Sequence, residues 1–266
     1  VARNAADLIL TDDNFSTIEK AIREGRGIYE NIRKTILFLL SSNFGEIITM
    51  LVAILAGFPA TLKASHILWV NLITDSLPAL ALGMDGNDGE ELMKQPPRKS
   101  TDTMFSHGGL SCTLCYGVVI GVISILAFMA VPYEELLQRQ LPVNLLSMKK
   151  ILEIEWILNK AQTHAFTVLG MSQLVHAVGM RDVNRSVFRM KHFENLYMLA
   201  ALGIGLLLQV LVTEVPYLVT LFETNRLTLV EWGRLQILAL TPLAVHELLC
   251  LFTAAGQRQE RAEEAH

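Results

Sequence analysis

Glu46 and Asp75 each sit inside a long apolar stretch, surrounded by oxygen-bearing side chains. The first stretch reads Ser41-Ser42-Asn43-Phe44-Gly45-Glu46, and Asn43 and Glu46, three residues apart, share one face of a helix. The second reads Leu68-Trp69-Val70-Asn71-Leu72-Ile73-Thr74-Asp75-Ser76-Leu77-Pro78, with Asn71, Thr74 and Asp75 at i, i+3 and i+4 on one face. Pro78 lacks an N–H, so the carbonyl of Thr74 is expected to lose its helical partner. Inside a membrane a freed carbonyl is tolerated only where something else binds it. The set comprises two carboxylates, two amide oxygens, one hydroxyl and at least one backbone carbonyl, and Gln173 could add a further oxygen. These are hard donors with no thiolate or imidazole among them. Ca2+ takes about 6–8 oxygens at ~2.3–2.6 Å, whereas soft metals prefer sulfur or nitrogen. Two alternatives stay open: a protonated Glu46 bonded to a neighbouring helix, and polar groups that serve only helix packing. Two mid-span carboxylates on adjacent segments favour a cation site.

The elements that carry these residues follow from composition and hydropathy. The chain has 266 residues, 52% hydrophobic and only 18% charged, where soluble domains sit near ~25% charged. A net charge of −4 gives no electrostatic reason to expect nucleic acid, and three cysteines make no disulfide framework. A membrane-spanning helix needs ~20 mostly apolar residues. Six stretches meet or approach that length: 35–58, 66–84, 110–131, 163–180, 196–212 and 232–252. The expected fold is therefore all-α, a polytopic membrane bundle of six transmembrane helices. Residues 18–34, with Ile18, Ile22, Ile28 and Ile32 among charges, predict a short cytoplasmic helical stalk at the N-terminus. Fifteen of the 22 Lys and Arg fall on the side of 1–34, 85–109, 181–195 and 253–266, which places both termini in the cytoplasm. The chain opens Val1-Ala2-Arg3-Asn4-Ala5-Ala6-Asp7 with no signal peptide, and this beginning reads as the edge of a larger cytoplasmic domain.

Three stretches are distinctive. One is Ala6-Asp7-Leu8-Ile9-Leu10-Thr11-Asp12-Asp13-Asn14-Phe15, followed by Glu24-Gly25-Arg26 and Tyr29-Glu30-Asn31. The others are the two polar segments around Glu46 and Asp75, the second continuing to Ala79, with Met93 and Pro96-Pro97-Arg98 behind them. On these residues the chain resembles the C-terminal part of the P-type cation-transporting ATPases, closest to the calcium pumps. The resemblance covers residues 1–100; beyond it the helices match mainly in number and spacing. It implies that 1–17 is the end of the phosphorylation domain, 18–34 its stalk, 35–252 the membrane domain and 253–266 a cytoplasmic tail. It further implies that Asn43, Glu46, Asn71, Thr74 and Asp75 ligate the transported ion, with Asp75 shared between two sites and Asn71 in the second. Gln173 falls where two-site pumps carry an acidic ligand. Asn71 stands where sodium and proton/potassium pumps tend to have Asp, which favours calcium, and Ser76 replaces a common glycine.

The implied activity is export of Ca2+ from the cytoplasm, coupled to phosphorylation of a domain this chain does not contain. Mg2+ and ATP would act only through those missing cytoplasmic domains, and the hydrolytic motif would lie just upstream of Val1. The expected partners are the lipid bilayer, the missing N-terminal helices and cytoplasmic domains of the same protein, and the transported cation, with no nucleic acid. The expected location is a bacterial plasma membrane. A sodium or other cation pump, a passive cation channel or secondary carrier, and a non-transporting remnant that binds another membrane protein are the alternatives.

Other motifs carry less. Cys112 and Cys115 form Cys-x-x-Cys inside an apolar span, where no thiolate is stabilised and packing is the expected role. His164 and His176 flank Gln173 at no metal-binding spacing, and His176 is expected to bond between helices. Glu247 with His246 reads as interfacial or interhelical pairing. Asn14-Phe15-Ser16 and Asn184-Arg185-Ser186 match the glycosylation pattern but fall on the cytoplasmic side. Residues 149–156 predict an amphipathic helix lying at the extracytoplasmic interface.

Overall fold

A computed structural model describes residue 9 and residues 14–86, 89–94, 96–99, 101–106 and 108–264, with side chains to residue 252. Most of the expected domain remnant at 1–17 lies outside the described residues, as do the side chains of the 253–266 tail. Among the described residues all regular secondary structure is helical. The helices are α1 (Phe15–Leu55), α2 (Ala64–Trp69), a π-helical segment (Val70–Asp75), α3 (Ser76–Gly83), α4 (Gly89–Lys94) and α5 (Gly109–Gln138). After them come α6 (Leu145–Ile151), α7 (Glu155–Met180), α8 (Leu196–Glu214), α9 (Pro216–Phe222), α10 (Leu229–Ala239) and α11 (Thr241–Glu264).

Helix α1 runs unbroken for 41 residues. It starts where Asn14 Oδ1 accepts the Ser16 N–H at 3.0 Å and stops in a Schellman turn. There Gly57 takes φ +70°, Gly57 N donates to Ile54 O, and Phe58 N donates to Ala53 O. Its polar first half and apolar second half are thus one rod, so a rotation imposed at Phe15 reaches Glu46 undamped by a loop.

The bundle closes around α5 and α7. Helix α5 meets α1 along small residues, because Gly117 and Gly121, spaced as G-x-x-x-G, leave no side chain between the backbones. A Cβ at Gly121 would stand 2.6 Å from Ile48 Cγ2, and one at Gly117 would stand 2.6 Å from Phe44 Cδ1. Gly121→Val is therefore expected to lower stability by about 1–3 kcal/mol through overpacking. Gly203→Ala, mid-helix in α8 with nothing within 4 Å, is expected to raise it by about 0.5–1 kcal/mol. Thermal unfolding of the two variants in detergent separates them.

Among the described residues four helical stretches are long and apolar enough to cross a membrane: α1, α5, α8 and the α10–α11 pair over Leu229–Phe252. The two other expected spans differ for physical reasons. Residues 66–84 are cut into α2, the π segment and α3. The span at 163–180 lies in α7, whose Gln162, Thr163, His164, Thr167, Ser172, Gln173 and His176 are all buried. A helix with protein on every side needs no apolar surface. The stretch 149–156 is not one helix, because Leu152, wholly buried in the core, ends α6 and α7 begins at Glu155.

At the end of the bundle where the polar half of α1 emerges, four elements are tied by one buried cluster. Arg181 at the end of α7 grips Asp85 with Nη2 to Oδ1 at 2.9 Å and Nε to Oδ2 at 3.0 Å. Asn195 Nδ2, at the start of α8, donates to Asp85 Oδ1 at 2.8 Å, and Asn31 Nδ2 from α1 donates to the Asp85 carbonyl at 2.8 Å. At the opposite end Lys63 Nζ binds Glu223 Oε2 at 2.6 Å, and that ammonium holds the exposed Glu223 carboxyl below the usual carboxylate range.

Candidate cation site

Midway along the bundle the π segment faces α1 on one side and α7 on the other. A π turn spaces hydrogen bonds five residues apart and leaves a local bulge, a device that recurs at functional sites. Here it spans Val70–Asp75, just before Pro78, and Ser76 Oγ fills one gap by donating to Asn71 O at 2.9 Å. The irregularity expected from Pro78 is therefore present, but as a widened turn that carries Asn71, Thr74 and Asp75 together.

Glu46, 6% exposed, accepts two amide hydrogen bonds: from Asn71 Nδ2 at 3.3 Å and from Gln173 Nε2 at 3.3 Å. Asn71 Nδ2 also donates to Ile67 O at 2.9 Å. Thr74 Oγ1 has one proton and two acceptors in reach, Val70 O at 2.9 Å and Gln173 Oε1 at 3.3 Å. Gln173, wholly buried, thus joins Glu46 on α1 to Thr74 on the π segment. Five of the six expected residues converge: Glu46, Asn71, Thr74, Gln173 and Asp75. Asn43 is half-buried and donates to Leu39 O at 2.7 Å, within its own helix.

Asp75 is the anomaly of the cluster. It is 1% exposed, and neither carboxylate oxygen has a hydrogen-bond partner. Ser42 Oγ, on the α1 face beside it, interacts with the Asp75 carboxyl without reaching hydrogen-bond geometry. Its electrostatic neighbour is Glu46, a second acid. No ion pair of Glu46 or Asp75 occurs among the described residues. A buried polar atom left unpaired costs about 1–3 kcal/mol, and more when charged. Two buried acids side by side are relieved by a proton or by a cation, and the chain's own side chains supply no cation here. Among the described residues no three His, Cys, Asp or Glu gather as a metal-binding group, so the donors here are two carboxylates plus amides and hydroxyls. Such a set can close around a hard divalent ion when the amides turn their oxygens inward.

Further buried polar residues bond between elements, as expected for His176 and for the neighbouring His246 and Glu247. His176 Nε2 lies 2.8 Å from Ser41 Oγ, bonding α7 to α1. Tyr116 Oη lies 3.0 Å from His246 Nδ1, and Glu247 Oε1 accepts the Val187 N–H at 2.7 Å. Gln209 on α8 and Thr167 on α7 have buried side-chain polar atoms with no partner. A single glutamine in an otherwise apolar stretch was the available signal for Gln209.

An all-helical bundle with membrane-length apolar helices and an oxygen-lined centre defines the class as an integral membrane protein with a polar interior. Residues 59–252 match the family described as "Cation transporting ATPase, C-terminus", and the chain belongs to that family. It is 46% identical over 253 residues to "Calcium-transporting ATPase 1" of Bacillus cereus, covering 94% of this chain and 28% of that protein. It is 42% identical over 232 residues to "Calcium-transporting ATPase" of Bacillus subtilis, covering 87% of this chain and 24% of that protein. It is 30% identical over 267 residues to "Calcium-transporting ATPase 3, endoplasmic reticulum-type" of Arabidopsis thaliana, covering 94% and 26%. The chain spans about a quarter of the length of these relatives.

Proposed function

We propose that the chain is the C-terminal membrane region of an ATP-driven pump that exports Ca2+ from the cytoplasm. In this reading Glu46, Asn71, Thr74, Asp75 and Gln173 hold the transported ion, and Asn43 joins them when its amide leaves Leu39 O. The observation that carries it is the buried, unpartnered carboxylate of Asp75 beside Glu46, two acids with no cationic side chain between them. The names of the relatives support calcium as the ion.

The same reading takes all six stretches, 35–58, 66–84, 110–131, 163–180, 196–212 and 232–252, as membrane-crossing, with both termini cytoplasmic and a bacterial plasma membrane as the site. Residues 18–34 act as the stalk, 1–17 close the phosphorylation domain, and 253–266 form the tail. Mg2+ and ATP act through parts of the protein outside this chain. A tilt of the continuous α1 rod moves Glu46 against Asn71 and Asp75, and so changes the number of oxygens the site presents.

The test is ATP-dependent 45Ca uptake into vesicles bearing the full-length protein. Glu46→Gln removes one of two balancing charges and is expected to cut uptake at low free Ca2+ by tenfold or more, about 1.4 kcal/mol of binding. Uptake unchanged in this variant overturns the site. Uptake that responds to sodium instead of calcium overturns the choice of ion.

A further inference from the structure

A second group of unsatisfied polar atoms lies where the Gln173 face of α7 meets α8. Thr167, Gly170 and Gln173 repeat every three residues along one face of that helix. The middle position is a glycine, and the slot it leaves is filled from α8. A Cβ at Gly170 would stand 3.2 Å from Gln209 Oε1 and 3.4 Å from Thr74 Cγ2. The amide of Gln209 therefore reaches over α7 to the edge of the π segment, beside the threonine that Gln173 holds. Gln209 is wholly buried, and neither its oxygen nor its nitrogen has a partner. Thr167 Oγ1, one turn away on the same face, is unpartnered too.

An apolar side chain of similar volume would satisfy packing at residue 209 without these orphan atoms, since the surrounding α8 is apolar. A buried water or an incoming ion would pair them. The one vacancy in charge nearby is at the two acids, and an amide oxygen is a hard donor matched to the same ion.

We propose that Gln209 is a further cation-coordinating residue, extending the site from α1, the π segment and α7 to α8 through the slot at Gly170. The inference rests on the calcium-site reading above. When the ion is present, Gln209 Oε1 turns to it past Thr74, and its amide hydrogens are left for Thr167 Oγ1. The slot also explains why a residue without a side chain stands between Thr167 and Gln173.

The test uses the full-length protein, phosphorylated from radiolabelled ATP at graded free Ca2+. Gln209→Leu is expected to raise the half-saturating Ca2+ about tenfold or more. The half-saturating ATP stays unchanged, and the thermal midpoint without Ca2+ rises because the orphan atoms are gone. Gln209→Glu, which keeps the oxygens, is expected to match or exceed the wild-type affinity. Gly170→Ala, which crowds Gln209 Oε1, is expected to weaken it. If Gln209→Leu does not elute as a single species in detergent, the last two variants decide. A Gln209→Leu curve superimposed on the wild type overturns the proposal, as does an equal weakening by Leu and Glu or an unaffected Gly170→Ala. A wild-type protein indifferent to Ca2+ overturns the calcium reading with it. A responsive wild type beside an unchanged Gln209→Leu overturns only the role of Gln209.

Discussion

Asp75→Asn in the full-length protein is expected to raise the thermal midpoint measured without Ca2+ and to abolish the further rise that Ca2+ produces in the wild type. Two opposing terms give this sign. Without the ion, Asp75 is a buried acid with no hydrogen-bond partner and another acid for a neighbour, so its burial is unfavourable. Replacing it with a neutral amide of the same shape removes the repulsion and places a donor near Ser42 Oγ. With the ion, the carboxylate is the group the site needs most. An ion at 100 times its dissociation constant stabilises the folded state by about 2.7 kcal/mol, and the variant forgoes nearly all of it. Apparent affinity is expected to fall by about 100-fold or more, the upper end of what loss of a single metal-site group costs. A structural acid would behave oppositely, lowering the midpoint in both conditions. Calorimetry or dye-based melting with and without Ca2+ reads both signs in one experiment.

Arg181→Ala is expected to be the most destabilising single change, costing about 3–5 kcal/mol. The reason is what it leaves behind. Asp85 is only 7% exposed, and its carboxylate receives three of its four side-chain hydrogen bonds from the Arg181 fork. Asn195 remains, but one neutral amide does not balance a buried charge. Removing both charges together, in Arg181→Met with Asp85→Leu, is expected to recover most of the loss, because neither ion is then stranded. The double-mutant cycle measured by thermal or denaturant unfolding tests this directly. If Arg181→Ala and the double variant are equally unstable, the pair holds the helix ends by shape, not charge. The cluster binds the end of α3 to α7 and α8, and Asn31 ties α1 to the same point.

Much of the site was legible along the chain. Glu46 and Asp75 stood out because carboxylates in apolar runs are rare, and the i, i+3, i+4 spacing of Asn71, Thr74 and Asp75 put them on one face. Pro78 announced a broken helix. Three features were not legible, each for a physical reason. Pro78 foretold an irregularity near Thr74 but not its form, a π turn over Val70–Asp75. Asn43 shares the helical face of Glu46, yet its amide turned to Leu39 O because a backbone acceptor four residues back was nearer. The pairing of Arg181 with Asp85 joins residues 96 apart, and no periodicity encodes such a partner.

Hydropathy separated the lipid-facing helices well and the central ones poorly. Helices α5 and α8 are apolar because much of their surface meets lipid in the membrane reading. Helix α7 is surrounded by protein, so Gln162, Gln173 and His176 find partners inside and the rule that equates span with apolarity fails there.

By itself the amino-acid sequence determined the helical class, the two acids, their oxygen-bearing neighbours and the apolar rods that carry them, because each of these is a property of local spacing and side-chain chemistry. The tertiary structure alone decided which oxygens meet. Gln173 bridges Glu46 and Thr74, Asp75 is left without a partner, and Gln209 enters the gap at Gly170, because all three depend on how rods distant in sequence rotate and press together.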